Sequence, residues 1–146
     1  MPVNIPGKSI KSPKATCLII TPFDVAGSRI KDTIQRALDE VEIRTLSLDN
    51  LTPGAAWVNA VTDAIKFSDF IVVDVTHQNP NVMYELGYAH ALRKPTILLM
   101  GLDAKSPLPT DIQGFLYIAY DPSNLRDLRN EIIHLAQRYK VSGGEK

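Results

Sequence analysis

Apolar residues fall along the chain in short runs separated by stretches with helical spacing. Residues 15–20 (ATCLII) form a short apolar run, and Pro22 ends it because proline cannot donate to a central ladder. Ile30, Ile34, Ala37, Leu38 and Val41 then recur at three- and four-residue intervals, which predicts a helix over 29–42 introduced by Gly27 and Ser28. Residues 43–48 (IRTLSL) alternate apolar and polar, as in a strand near a sheet edge. Thr52-Pro53 reads as a cap and first helical residue, and Trp57, Ala60, Val61, Ala64 and Ile65 carry that helix to about residue 66. Residues 69–75 (DFIVVDV) are the next strand. Asn79-Pro80 then caps a helix over 79–93 with Val82, Met83, Leu86, Ala89 and Leu92 on its apolar side. Gly87 and Ala89 are small, and both are expected where this helix approaches the sheet. Residues 95–100 (PTILLM) are continuously apolar, as a strand covered on both faces would be. A connection over 101–114, long enough to wall a site, leads to a last strand at 115–120 (FLYIAY) and an amphipathic helix over 125–139.

The order is therefore β-α-β-α-β-α-β-loop-β-α. Such alternation implies an α/β fold, a doubly wound parallel sheet between two layers of helices. Five strands with right-handed crossovers point to the flavodoxin-like order 2-1-3-4-5. Residues 1–14, with three prolines, read as a flexible arm; 15–140 read as one domain; 141–146 read as a disordered tail. Thr-Pro-Phe-Asp follows the first strand where a dinucleotide fold or a P-loop would place a glycine-rich turn, so both of those fingerprints are missing.

Composition narrows the function classes. The 146 residues carry 16 basic and 16 acidic side chains and no basic run, which argues against a nucleic-acid polymer as partner. The single cysteine, Cys17, lies in an apolar run, so no disulfide framework is expected and a reduced, cytoplasmic setting is. No signal peptide or bilayer-length apolar stretch is read, so no membrane association is expected. No second histidine stands at metal-ligand spacing from His77, so no metal site is expected, and no cofactor.

In this topology a site forms beyond the carboxyl ends of the strands, where the strand order reverses between the first and third strands. Thr21, Phe23, Asp24, Asp49, Asp74, His77 and Asn79 occupy those ends, with Arg29 at the start of the first helix and Asn81 at the start of the third. Glu85 is the conspicuous acid. It has apolar neighbours at 82, 86 and 89 and no Lys or Arg three or four residues on. It is either a carboxylate used on a ligand or a partly exposed helical acid bonded to backbone or to an arm from another subunit. Asp74 is either a ligand to a hydroxyl or the cap of its own turn. Trp57, Phe23 and Tyr84 serve as core or as stacking surfaces, and Arg29 and His77 as solvated or ligand-facing groups.

The segments TPFD, DVTHQNPNVMYELGYAHALRKP and the later PLP resemble the nucleoside 2-deoxyribosyltransferase-like superfamily, most of all its small bacterial nucleotide-binding, TIR-like branch. The resemblance implies an N-glycosidic bond as target, with Glu85 at the anomeric carbon as nucleophile or charge stabiliser and Asp74 holding sugar or base. It also implies a nucleotide or nucleoside ligand and a homo-oligomer whose neighbouring subunit completes the site. Two positions depart from the transferase pattern. Asn79 stands where a second acid is usual, and Thr21-Pro22-Phe23 where a tyrosine is frequent. These departures favour an N-glycosidase, or a nucleotide-binding or self-associating module, over a transferase.

Overall fold

The computed structural model describes residues 14–46, 48, 55–107 and 117–144. The elements run β1 (Thr16–Ile20), α1 (Val25–Glu40), β2 (Arg44–Leu46), α2 (Ala55–Phe67), β3 (Phe70–Asp74), α3 (Pro80–Ala91), β4 (Thr96–Gly101), β5 (Tyr117–Tyr120) and α4 (Leu125–Gly144). All five strands are parallel, in the order β2-β1-β3-β4-β5. The expected doubly wound, flavodoxin-like α/β architecture is therefore the observed one.

Strand parity sorts the core into two halves. Cys17, Ile19, Phe70, Val72, Ile97 and Leu99 face α1 and α4, whose Ile34, Leu38, Leu128 and Ile132 are buried against them. Leu18, Ile20, Ile71, Val73 and Leu98 face α2 and α3, packing on Val61, Ile65, Val82 and Leu86. Every residue of β1 and β3 is buried, as required of central strands covered on both faces. Burial pushes the Cys17 thiol far above its usual range, so it stays a neutral core group.

Three local expectations need correction. The first helix does not begin after Ser28. Asp24 is its cap and accepts from the Gly27 N–H at 2.6 Å, so Gly27 and Ser28 lie inside α1. Glycine is required at 27 because a Cβ there would sit 2.1 Å from the carbonyl oxygen of Pro22. Gly87 does not let α3 approach the sheet, for a Cβ there would meet nothing within 4 Å; Ala89, fully buried, is the close contact. Finally, α4 continues to Gly144, past the expected end at 139. Most of the N-terminal arm, the 108–116 part of the long connection and the last two residues lie outside the described residues.

Helices α1 and α3 close without glycine. Glu42 (φ 61) and Arg93 (φ 56) take the left-handed conformation, and the following N–H groups, of Ile43 and Lys94, return to the carbonyls of Leu38 and Ala89. This is the Schellman geometry in which glycine is usual. Arg93→Gly is expected to raise stability by about 0.5–1 kcal/mol in urea titration, because the left-handed penalty disappears at an exposed position.

Candidate active site

Glu85 owes its position to the start of its helix. The Asn79 side chain accepts from the N–H groups of Asn81 (2.9 Å) and Val82 (3.3 Å), and Pro80 occupies the first turn. That start rotates Val82, Leu86 and Ala89 onto the sheet. Glu85, next to Leu86, falls at the margin of this stripe and is half-buried.

Two recesses are lined in part by this residue. One is a cleft of about 370 Å³ at the carboxyl ends of β1 and β2, bounded by Thr21, Ser28, Lys31 and Gln35 on the α1 side and by Leu48 and Trp57 opposite. The other is an apolar recess of about 220 Å³ between α2 and α3, walled by Val58, Thr62, Ile65, Tyr84 and Tyr88. Phe23, Trp57, Val61 and Glu85 line both. The Phe23 and Trp57 rings meet edge to face, with centroids 5.3 Å apart, and form the ridge between them.

Among the described residues, no hydrogen bond or ion pair reaches the Glu85 carboxyl. Desolvation raises its pKa from 4.5 to about 7. The folded state thus holds the proton more tightly than the unfolded chain. The associated stability is complete below pH 4.5 and is lost as pH rises through 7. The gap is worth about 3 kcal/mol for a fully dry group, discounted to about 1–2 kcal/mol because this side chain is part-exposed. Glu85→Gln is therefore expected to stabilise the protein by about 1–2 kcal/mol at pH 8 and by little at pH 4.5, as read from paired urea melts.

Asp74 does not join Glu85. Parity at the end of β3 turns it to the α1/α4 face, where it is buried in an internal network. The Thr76 N–H (3.0 Å) and Thr76 hydroxyl donate to one carboxylate oxygen, and the Tyr120 hydroxyl donates to the other (2.8 Å). The Gly101 N–H donates to the Thr76 hydroxyl at 2.9 Å. The ends of β3, β4 and β5 are tied together in this way. Burial, with the Asp74 charge adding to it, holds the Tyr120 hydroxyl above its usual pKa. Asp24, Arg29 and His77 line a separate small cavity of about 60 Å³ beside this network, and His77 lies 3.6 Å from Asp103.

The residues singled out from the sequence thus divide. Thr21 and Phe23 share the Glu85 cleft, and Asn81 lines the apolar recess. Asp74, Asp24, Arg29 and His77 line the other cavity, Asp24 and Arg29 also line a shallow recess with Phe23, Ser28 and Asp32 at the edge of the cleft, and Asn79 is occupied as a cap. Asp49 lies outside the described residues. Lys31, Gln35 and Tyr88 were not anticipated at Glu85. Their signal is spacing: Lys31 and Gln35 stand one and two turns beyond Ser28, and Tyr88 one turn beyond Glu85.

No family model and no curated protein matches the sequence. Solved structures do match by shape. A CMP N-glycosidase from Clostridium botulinum aligns with TM-score 0.61 and 19% identity over 80% of this chain and 97% of its own. A 2-deoxyribosyltransferase from Bacillus psychrosaccharolyticus aligns at 0.58 and 17%, over 80% and 91%. The TIR domain of a Toll-related receptor from Hydra magnipapillata aligns at 0.63 and 18%, over 87% and 98%. At these identities the likeness shows a shared fold. Among the described residues, no helix is long and apolar enough to cross a membrane.

Proposed function

We propose that the chain binds a nucleotide or nucleoside at Glu85 and cleaves its N-glycosidic bond. The observation that carries this reading is the Glu85 carboxyl itself. It is part-desolvated, without a hydrogen-bond or ionic partner among the described residues, and belongs to a residue that lines two recesses. A carboxylate kept in such a place is costly unless a ligand uses it. An oxocarbenium-like transition state supplies a positive charge at the anomeric carbon, which an ionised Glu85 would stabilise or capture. The C1′–N bond breaks and its electron pair leaves with the base. Water supplies oxygen to C1′, and a proton from that water ends on the base nitrogen. The fold shared with a CMP N-glycosidase and a 2-deoxyribosyltransferase supports the ligand class. The absence of an acid at Asn79, here a helix cap, supports hydrolysis over transfer.

A second reading, a binding module without turnover, is favoured by one observation. Asp74 is consumed by Thr76 and Tyr120, and Asp32, which lines the cleft, is ion-paired with Arg36 at 3.1 Å. No other carboxylate among the described residues stands ready in the cleft to move a proton. Incubating purified protein with a nucleotide and nucleoside panel, and following base release by chromatography beside calorimetry, separates the two. Release supports the enzyme; tight binding without release supports the module.

A further inference from the structure

We infer that the recess between α2 and α3 holds the planar aglycone of the ligand, and that its size and apolar lining favour a bicyclic, purine-type ring. The inference rests on the proposed N-glycosidic ligand and adds to it the orientation and the class of base.

The two recesses at Glu85 differ in chemistry. The β1/β2 cleft presents the hydroxyls of Thr21 and Ser28, the amide of Gln35 and the cation of Lys31, groups suited to a sugar and its polar substituents. The α2/α3 recess presents Val58, Val61 and Ile65 with the rings of Phe23, Tyr84 and Tyr88, which suit a flat apolar surface. Its volume, about 220 Å³, is below the roughly 300–1,000 Å³ of pockets that enclose a whole drug-sized ligand. It therefore holds one ring system. A ligand with its sugar in the cleft and its ring in the recess has the bond between them at the residues that line both, Glu85 among them.

The recess also has features of a built pocket. Phe23 (73% exposed) and Tyr84 (64% exposed) stand at its rim as aromatic surfaces that a ring would cover. The Thr62 hydroxyl is committed to the Asn59 carbonyl at 3.0 Å. Asn81, with its backbone N–H held by Asn79, brings a neutral side-chain amide to the same rim. That amide offers a donor and an acceptor, the pair that the edge of a base requires. A bicyclic ring covers more of the apolar wall than a monocyclic one and gains accordingly.

The single tryptophan of the chain, Trp57, stands between the recesses and reports on them by its fluorescence. Ribose 5-phosphate, a pyrimidine nucleoside monophosphate and a purine nucleoside monophosphate are titrated against wild type, Thr62→Phe, which fills the recess, and Val58→Arg, which charges its rim. The expected result is purine binding about tenfold tighter than pyrimidine binding in wild type. That preference is lost in both variants, with ribose 5-phosphate binding unchanged. A purine preference that survives both variants overturns the inference, and Val58→Arg, at an exposed position, guards against misfolding of Thr62→Phe. A Trp57 signal that follows protein concentration rather than ligand overturns it in favour of a second copy of the chain covering the recess. Base release from the same samples keeps the two proposals apart. A purine preference without release leaves the aglycone site standing and removes the cleavage reading. Release without a preference does the reverse, and binding of no member removes both.

Discussion

Glu85→Gln is expected to lower base release at least about 10³-fold, some 4 kcal/mol of transition-state stabilisation, while leaving ligand binding within a few fold. Glutamine keeps the shape and hydrogen-bonding capacity of the protonated acid but cannot carry the negative charge that the anomeric carbon needs. The loss should therefore appear in kcat rather than in KM. The pH profile gives an independent check. With the Glu85 pKa near 7 and the ionised form active, kcat/KM falls about tenfold per pH unit below that point. The limb belongs to Glu85 and should be absent from whatever activity remains in the variant. Release by Glu85→Gln at the wild-type rate would sink the assignment. The same substitution that disables the site should stabilise the fold at pH 8, a trade expected of a charge kept dry for use.

The second large effect concerns Gly27. Gly27→Ala is expected to destabilise the protein by about 2–3 kcal/mol, with a fall of about 6–12 °C in Tm, although alanine is the better helix former. The added Cβ would lie 2.1 Å from the Pro22 carbonyl oxygen and 3.1 Å from the Asp24 carboxylate that caps α1. Backbone must move to admit it, and the segment displaced is the one that carries Thr21, Pro22 and Phe23 along the Glu85 cleft. Activity should fall with stability. Gly87→Ala is the control. It lies inside α3 with open space around it and should gain about 1 kcal/mol. Opposite signs for one substitution at two helical glycines would verify the packing at Pro22 by thermal melts alone.

Why some features were legible in the sequence and others were not follows from the physics of each element. Buried runs such as residues 70–73 and 97–99 carry the strand signal plainly, because a central strand must be apolar on both faces. The Asn79-Pro80 start of α3 was equally plain, because cap and first-turn preferences depend on the residue alone. Helix ends were harder: Glu42 and Arg93 turn the chain in a conformation that their side chains do not advertise. The start of α1 was misjudged because Gly27 reads as a breaker, whereas its role is contact with Pro22. Asp74 reads from the sequence as the end of its strand, which it is, but the face it turns to cannot be read there. In a strand buried throughout there is no polar alternation to show which way each side chain points. Its direction follows only from knowing that Phe70 and Val72 meet α1 and α4. Glu85 was legible because a helical stripe has a margin, and an acid next to Leu86 must stand on it.

The division of the sheet has a bearing on how the molecule can change. The Asp74–Thr76–Tyr120 staple and the apolar α2/α3 recess lie on opposite faces and, among the described residues, share no hydrogen-bond partner. Substitutions in the two should combine additively, which a double variant such as Tyr120→Phe with Thr62→Phe would measure. One face can then drift, or be engineered, toward a new ligand while the other keeps three strand ends in register. The protein is in this sense modular across a layer one residue thick.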